Sequence, residues 1–273
     1  MIKDVMVHLD GSEADAERLA LAEILADAHA AHIEGIFVNR MPSIALAVDA
    51  TGAGAEIMGT LTEQAIADGD VIEKRLASRL EACRFDATVT RVDAMGEQGG
   101  EIATRAARHA DLFLATRLSE GEGGEDWSEL IHAVIFGSGR GVLLAAPGVP
   151  ARPFRRIVVG WNASREASRA LAEAGPFLRA ADEVVVATAE RASSGDAPDT
   201  RIARHLDRHG VKVTLHDIRS RDPADAIIAE AESRDADLIV TGAYGQSRLR
   251  QWALGGVTRE LLRRAPVPLF LAH

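Results

Sequence analysis

The sequence predicts an α/β protein made of two tandem, doubly wound parallel-sheet units. Three observations carry that expectation. Short apolar runs alternate with stretches of helical periodicity along the whole chain, the same succession occurs twice, and a single Pro-rich joint, Pro147-Gly148-Val149-Pro150-Ala151-Arg152-Pro153, lies between the two. Right-handed crossovers then lay helices on both faces of each sheet. Ligands are expected beyond the carboxyl ends of the strands, near the point where strand order reverses.

Taken in order, the first unit opens with a strand at Val5 to Leu9 that stops at Asp10-Gly11-Ser12. Ser12 is placed to cap a helix through Leu19, Ala22, Leu25 and Ala26. The second unit repeats this with a strand at Ile157 to Gly160, then Trp161-Asn162-Ala163-Ser164 and a helix through Ala167, Leu171, Ala174 and Leu178. Asp10 and Asn162 occupy equivalent places. Second strands follow at Ile33 to Val38 and Val184 to Ala189, second helices at Glu56 to Arg84 and Thr200 to His209, and third strands at Thr88 to Val92 and Val211 to Leu215. The third helices start near Gly100 and at Asp222-Pro223, where Asp caps and Pro suits the first helical position. Asp111 to Ala115 matches Asp237 to Thr241 as the fourth strand. Each unit ends with a helix and a last strand, Val142 to Ala145 and Leu269 to Ala272. Pairing those two apolar strands would cover two sheet edges. The units are bounded as 1–148 and 153–273.

Composition limits the function classes. Length 273, 47% hydrophobic and 26% charged residues fit a globular protein of two domains. A formal net charge of -10 argues against nonspecific attraction to nucleic acid or an anionic membrane. Aromatic residues at 4% disfavour a stacking platform for single strands. No run approaches the ~18 apolar residues of a membrane span. The amino terminus, MIKDVMVHLDG, has no basic segment followed by a long apolar run, so a cytoplasmic protein without a signal peptide is expected. Cys83 is the single cysteine, which excludes an intrachain disulfide; at helical spacing with Ile72, Leu76 and Leu80 it reads as core.

The stretch richest in chemistry is Leu238 to Thr258, LIVTGAYGQSRLRQWALGGVT. A buried strand delivers Gly242 and Gly245 into a loop. Nine residues on, Gly255 and Gly256 open a helix at Val257-Thr258. Glycine there permits sharp turns and close backbone approach, and a helix N-terminus offers N–H groups at a positive end, a ready phosphate cradle. The competing reading is that the glycines only shape a strand-to-helix turn. Arg248 and Arg250 lie inside the motif as potential phosphate donors or as solvated loop arginines.

The G-x-x-G, nine residues, G-small pattern resembles the nucleotide-binding signature of the universal stress protein family. The segments WNASREASRALAEAGPFL, DPADAIIAEA, DADLIVTGAYG and APVPLFL are similar to family segments. The resemblance covers nearly the whole chain and implies two Rossmann-like, adenine nucleotide alpha hydrolase-like domains in one polypeptide, paired as a pseudo-dimer about a pseudo-twofold axis. It implies an ATP or AMP site in the second domain, with phosphates at Gly242, Gly245, Arg248, Gly255, Gly256, Val257 and Thr258, and base and ribose near Asn162 and Ala187. Two departures stand out. ATP-binding members usually have Ser or Thr at the position of Gly256 and Asp at that of Asn162. Trp161 reads equally as part of that site or as a packed cover on the sheet end.

The first unit differs where function should lie. After its fourth strand it has Thr116 in place of Gly242, and Glu120, Glu122, Glu125, Asp126 and Glu129 follow in what reads as an acidic loop that repels phosphate. Gly137-Ser138-Gly139 reads as a helix-ending turn. The first unit is therefore expected to be a degenerate structural partner.

His205 and His209 have i, i+4 spacing but no evident third ligand, so no metal is expected beyond a magnesium ion that would accompany ATP. The chain lacks a nucleophile elbow, a Walker sequence and a distinguishable acid–base pair, so no catalytic residue is assigned and any hydrolysis is expected to be slow. Met41 to Gly59 is an insertion relative to the second unit that leaves a lid, an interface patch and a disordered loop open. Three readings follow: a nucleotide-binding regulatory module, a ligand-free scaffold recruiting an unidentified protein partner, and a slow ATPase. An additional homodimer is compatible with each.

Overall fold

The computed structural model describes residues 1–42, 53–95, 98–117, 124–188, 200–218, 220, 222–244 and 256–273. The strands are β1 (Asp4–Leu9), β2 (His32–Met41), β3 (Ala87–Met95), β4 (Leu112–Thr116), β5 (Gly141–Ala145), β6 (Arg156–Trp161), β7 (Glu183–Thr188), β8 (Val213–Asp217), β9 (Leu238–Gly242) and β10 (Leu269–Ala272). The helices are α1 (Ala14–His29), α2 (Ala53–Glu81), α3 (Gln98–Ala107), α4 (Gly124–Gly137), α5 (Arg165–Glu173), α6 (Gly175–Ala180), α7 (Thr200–Arg208), α8 (Pro223–Ser233) and α9 (Val257–Arg264).

All ten strands join one sheet in the order β3-β2-β1-β4-β5-β10-β9-β6-β7-β8. Neighbours pair parallel except β5 and β10, which meet antiparallel through Leu144 with Leu269, Leu143 with Phe270 and Val142 with Leu271. The last strands thus form the junction that the sequence led us to expect. Gly141 makes room there: a Cβ on it would lie 2.3 Å from the Phe270 ring. Phe270 continues into an edge-to-face series with Phe177 and Phe154.

Alternation along each buried strand feeds two cores. Val5, Val7 and Leu9 of β1 join α1 and α2, and Val159 of β6 joins α5 to α7 on the same face. Met6 and Val158 point to the other face, covered by α3, α4, α8 and α9. The internal repeat extends to hydrogen bonds. Asp111 accepts from the N–H groups of Lys3 and Asp4 at 2.6 and 3.2 Å, and Asp237 accepts from those of Arg155 and Arg156 at 2.8 and 2.7 Å.

Several boundaries differ from expectation. The single helix foreseen after β6 is two, because Gly175-Pro176 interrupts it and Pro176 takes an initial position of α6. The acidic loop is in part helix: positions 125, 126 and 129 fall inside α4, where acidic residues near a helix start suit the dipole. Glu120 and Glu122 lie outside the described residues. Of the Met41 to Gly59 insertion, Met41 ends β2 and residues 53–59 open α2; residues 43–52 lie outside the described ones. The Gly137-Ser138-Gly139 turn does end a helix, with Ser138 N–H on Val134 O and Gly139 at φ +71°. Cys83 is half-buried against the core and donates to Glu23 at 3.2 Å. Burial and the Glu23 carboxylate push its thiol pKa up.

Candidate functional site

In the second half, strand order reverses between β6 and β9, so their carboxyl ends flank a crevice. Register aligns Gly160 with Ala187 on one side and Thr241 on the other, which brings Asn162, Ala187 and Gly242 to one edge. Asn162 does not point a free carboxamide oxygen outward: it accepts from Ser164 N–H at 3.1 Å in an Asx turn. Ala163 follows at φ 55°, and Ser164 caps α5 by accepting from Ala167 N–H. Ala187 is fully buried. Trp161 is half-buried against the core, and its indole Nε1 has no hydrogen-bond partner among the described residues.

Gly242 has a packing reason to be glycine. A Cβ there would lie 2.4 Å from Ala167 N and 2.5 Å from the Glu166 carbonyl carbon, so β9 ends directly against the first turn of α5. Glu166 is buried beside it, with Arg165 at 2.9 Å. Burial works against ionisation, but its own backbone N–H, the Arg165 guanidinium and the charge of His273 outweigh it and hold the carboxyl below its ordinary range.

Beyond the end of β9, α9 follows Gly256, whose φ of -71° and ψ of 148° are extended and which as a glycine offers no side-chain cap. By helix geometry the N–H groups of Val257 and its two successors have no acceptor within the helix. These groups and the positive helix end fit an anionic oxygen. Thr258 is buried, and its hydroxyl accepts from Tyr244 N–H at 3.1 Å. That bond joins residues on either side of the 245–255 segment, which lies outside the described ones. Gly245, Arg248, Arg250 and Gly255 lie outside the described residues; of the rest, Asn162, Ala187 and Gly242 share one strand-end edge, and the Tyr244–Thr258 bond holds Gly256, Val257 and Thr258 beside the end of β9.

Sequence reasoning missed how the first half supports this edge. Tyr244, the single tyrosine of the chain, sits at φ 54° and meets His132 Nε2 of α4 at 2.6 Å through its hydroxyl. Its ring lies 5.1 Å from that of Phe136, which also meets His273 at 4.8 Å. Arg117, just past β4, is buried and donates to Leu262 O at 3.0 Å and Ala265 O at 2.5 Å, closing the carbonyl end of α9. The helix whose amino end is bonded beside β9 is therefore held at the other end by the opposite half. The position directly after a strand end gave no sequence signal for that role.

The corresponding crevice of the first half is filled by charge. Asp10 repeats the Asx turn, accepting from Ser12 N–H at 2.9 Å, with Gly11 at φ 79°. Buried Arg18 donates to Asp10 and Asp15, each at 2.6 Å, and lies 3.1 Å from His8 Nδ1. Burial, reinforced by Arg18, lowers the His8 pKa to about 3. Burial opposes ionisation of Asp10, but Arg18 and Ser12 bring its pKa down to about 2, whereas burial leaves that of Asp15 raised. In the second half Ala167 and Ala170 stand where Asp15 and Arg18 stand in the first, so the equivalent space lacks these charges.

Elsewhere, a groove of 810 Å³ runs between α1 and the connection to β6, lined by Ala16, Ala20, Ile24, Val149 and Pro150. It is lined by none of the crevice residues. His205 and His209 stack edge-on with ring centroids 4.7 Å apart. Among the described residues no three metal-binding side chains converge, and no helix is long and apolar enough to cross a membrane.

Comparison with known proteins places the chain as follows. It is similar to Universal stress protein Rv1636 of Mycobacterium tuberculosis, 28% identical over 144 residues that cover 44% of this chain and 97% of that protein. It also resembles Stress response protein NhaX of Bacillus subtilis, 38% identical over 55 residues, 20% of this chain and 33% of that one. The crystal structure of a universal stress protein from Archaeoglobus fulgidus superposes with a TM-score of 0.70 at 21% identity, covering 98% of this chain and 95% of that one. A Pseudomonas aeruginosa protein of unknown function superposes at 0.59 and 14%, covering 99% and 92%. These two likenesses establish the shared α/β fold over the whole length. The part of the chain that matches the model of the Universal stress protein family is residues 153–273, the half that holds β6 to β10 and the open helix end at Gly256.

Proposed function

We propose that the chain is a tandem universal stress protein, with units at 1–148 and 153–273, that binds one adenine nucleotide, ATP or AMP, in its second unit and acts as a cytoplasmic regulatory module. The observation that carries this reading is the amino end of α9 at Gly256, without a side-chain cap among the described residues and held beside the end of β9 by the Tyr244–Thr258 bond, within the segment that matches the family model. Phosphates would lie on the first turn of α9 and the 245–255 segment, with Gly245, Arg248 and Gly255; base and ribose would lie toward Asn162 and Ala187. Magnesium would enter only with ATP. The charge-filled crevice of the first unit supports a single site per chain. Hydrolysis would be slow, since no base or metal-ligand pair is assigned.

A scaffold without ligand is the second reading, favoured by one specific observation: packing on α5 alone accounts for Gly242. Mass spectrometry of small molecules released from the purified, denatured protein separates the two. Stoichiometric adenine nucleotide supports the module; its absence, together with no heat on titration with ATP or AMP, supports the scaffold.

A further inference from the structure

Tyr244 is one of four non-glycine residues with positive φ among the described residues, and it differs from the other three in what holds it. Ala30 and Asp235 end helices and donate to Ala26 O and Glu232 O, and Ala163 lies inside the Asn162 turn, so each has a local cause. The described hydrogen-bond partners of Tyr244 are distant in sequence: His132, 112 positions away, and Thr258, 14 positions away. A large L residue keeps a φ of 54° only where its surroundings impose it.

The side-chain part of those surroundings comes from the first half. His132 and Phe136, one helical turn apart on α4, meet the phenol hydroxyl at 2.6 Å and the ring at 5.1 Å. Phe136 also packs on His273, whose Nδ1 lies 2.9 Å from Ala243 O, so the residue before Tyr244 is steadied from the same helix. With its side chain fixed in this way, Tyr244 aims its backbone N–H at the Thr258 hydroxyl in the first turn of α9. Arg117 holds the carbonyl end of that helix. At the place equivalent to Arg117 the second half has Ala243, whose side chain has no donor to return the contact.

We propose that His132 and Tyr244 are positioning residues through which the first half sets the nucleotide affinity of the second. Without the hydroxyl contact Tyr244 leaves the left-handed region, its N–H turns away from Thr258, and the first turn of α9 loses its place beside the end of β9. The inference rests on the nucleotide site proposed above, and it gives the half that lacks the glycine motif a part in binding.

Isothermal titration of the full chain with ATP and AMP tests it. Tyr244→Phe, which removes the hydroxyl alone, and His132→Ala each bind about two- to tenfold more weakly than the parent. The double variant binds no more weakly than His132→Ala, because the pair acts as one contact, and His132→Gln, whose amide reaches the place of Nε2, recovers the parent affinity. A second readout needs no ligand: amide exchange at Tyr244, followed by nuclear magnetic resonance, accelerates about two- to tenfold in both single variants, while Ile239 in β9 is unchanged. Equal affinity in the parent and both single variants, with only the melting temperature lowered, makes the contact merely structural; it overturns the proposal and leaves the nucleotide reading intact. Unchanged exchange at Tyr244 overturns the proposal with or without ligand, and so do fully additive losses in the double variant. A parent that titrates neither ATP nor AMP overturns that reading and this inference together.

Discussion

Restoring a hydroxyl at the start of α9 by Gly256→Ser is the sharpest test of the proposed nucleotide site. The backbone imposes no penalty, because φ -71° and ψ 148° are open to any L residue and are the usual geometry of a helix cap. Serine can accept from an N–H of the first turn through its oxygen, which relative to glycine is worth a few tenths of a kcal/mol to the fold. Its proton remains available to a phosphate oxygen, and a hydrogen bond to a charged group contributes about 1.5 to 3 kcal/mol. Affinity for ATP therefore rises by about 10- to 150-fold. Isothermal titration of parent and variant reads the effect, and a thermal scan without ligand reads the cap. An unchanged dissociation constant in a variant with a raised melting temperature would refute the placement of phosphate at this helix end.

Further outcomes follow from the packing and the charges. Gly242→Ala drives a methyl group against the backbone of Glu166 and Ala167 and should cost about 3 kcal/mol or more in urea unfolding; a loss under 1 kcal/mol would show that α5 can withdraw. Arg117→Leu strips two carbonyl partners from the end of α9 and should cost about 1 to 3 kcal/mol, with hydrogen exchange accelerated first in α9. Folded His8 holds no proton until about pH 3, whereas the unfolded chain takes one up below its ordinary 6.5. Its contribution is complete above 6.5 and is lost as pH falls through that window, at about 1.4 kcal/mol per pH unit. Asp10 adds to the loss as pH falls from its ordinary 3.8 toward about 2, while Asp15, raised in the fold, works in the opposite direction. Urea midpoints from neutral pH to about pH 4 check the slope, and His8→Gln should flatten it.

Much of the fold was legible because the repeat was. The Asp–apolar signature at Asp111 and Asp237 named two strands whose aspartates each cap the backbone entering the first strand of their own half. Asp10 and Asn162, matched on sequence, make the same Asx turn. Boundaries failed where a local breaker competed with periodicity, as at Gly175-Pro176, or where acidic residues read as loop chemistry but start a helix. The site was less legible, since its supports are tertiary. Nothing in the local pattern around Arg117 or His132 announces that each reaches the opposite half, and Gly242 owes its identity to a helix 75 residues earlier in the chain. The Arg18 cluster was missed for a simpler reason: three charges and a histidine spread over β1 and α1 look like solvated positions until folding buries them together.

The antiparallel junction is built to reject a like partner. Its pseudo-twofold relates Val142 to Leu269 and passes through the Leu143–Phe270 pair, so the counterpart of Gly141 is Pro268. Two second halves brought together in the same way would set Phe270 against Phe270 and put a proline ring where Gly141 leaves space for the aromatic edge. Fusion into one chain also makes the correct pairing unimolecular, held at an effective concentration that dilution cannot lower. Each half is thereby freed from serving as its own mate, and one can carry the Arg18 charge cluster while the other has alanines in the same places.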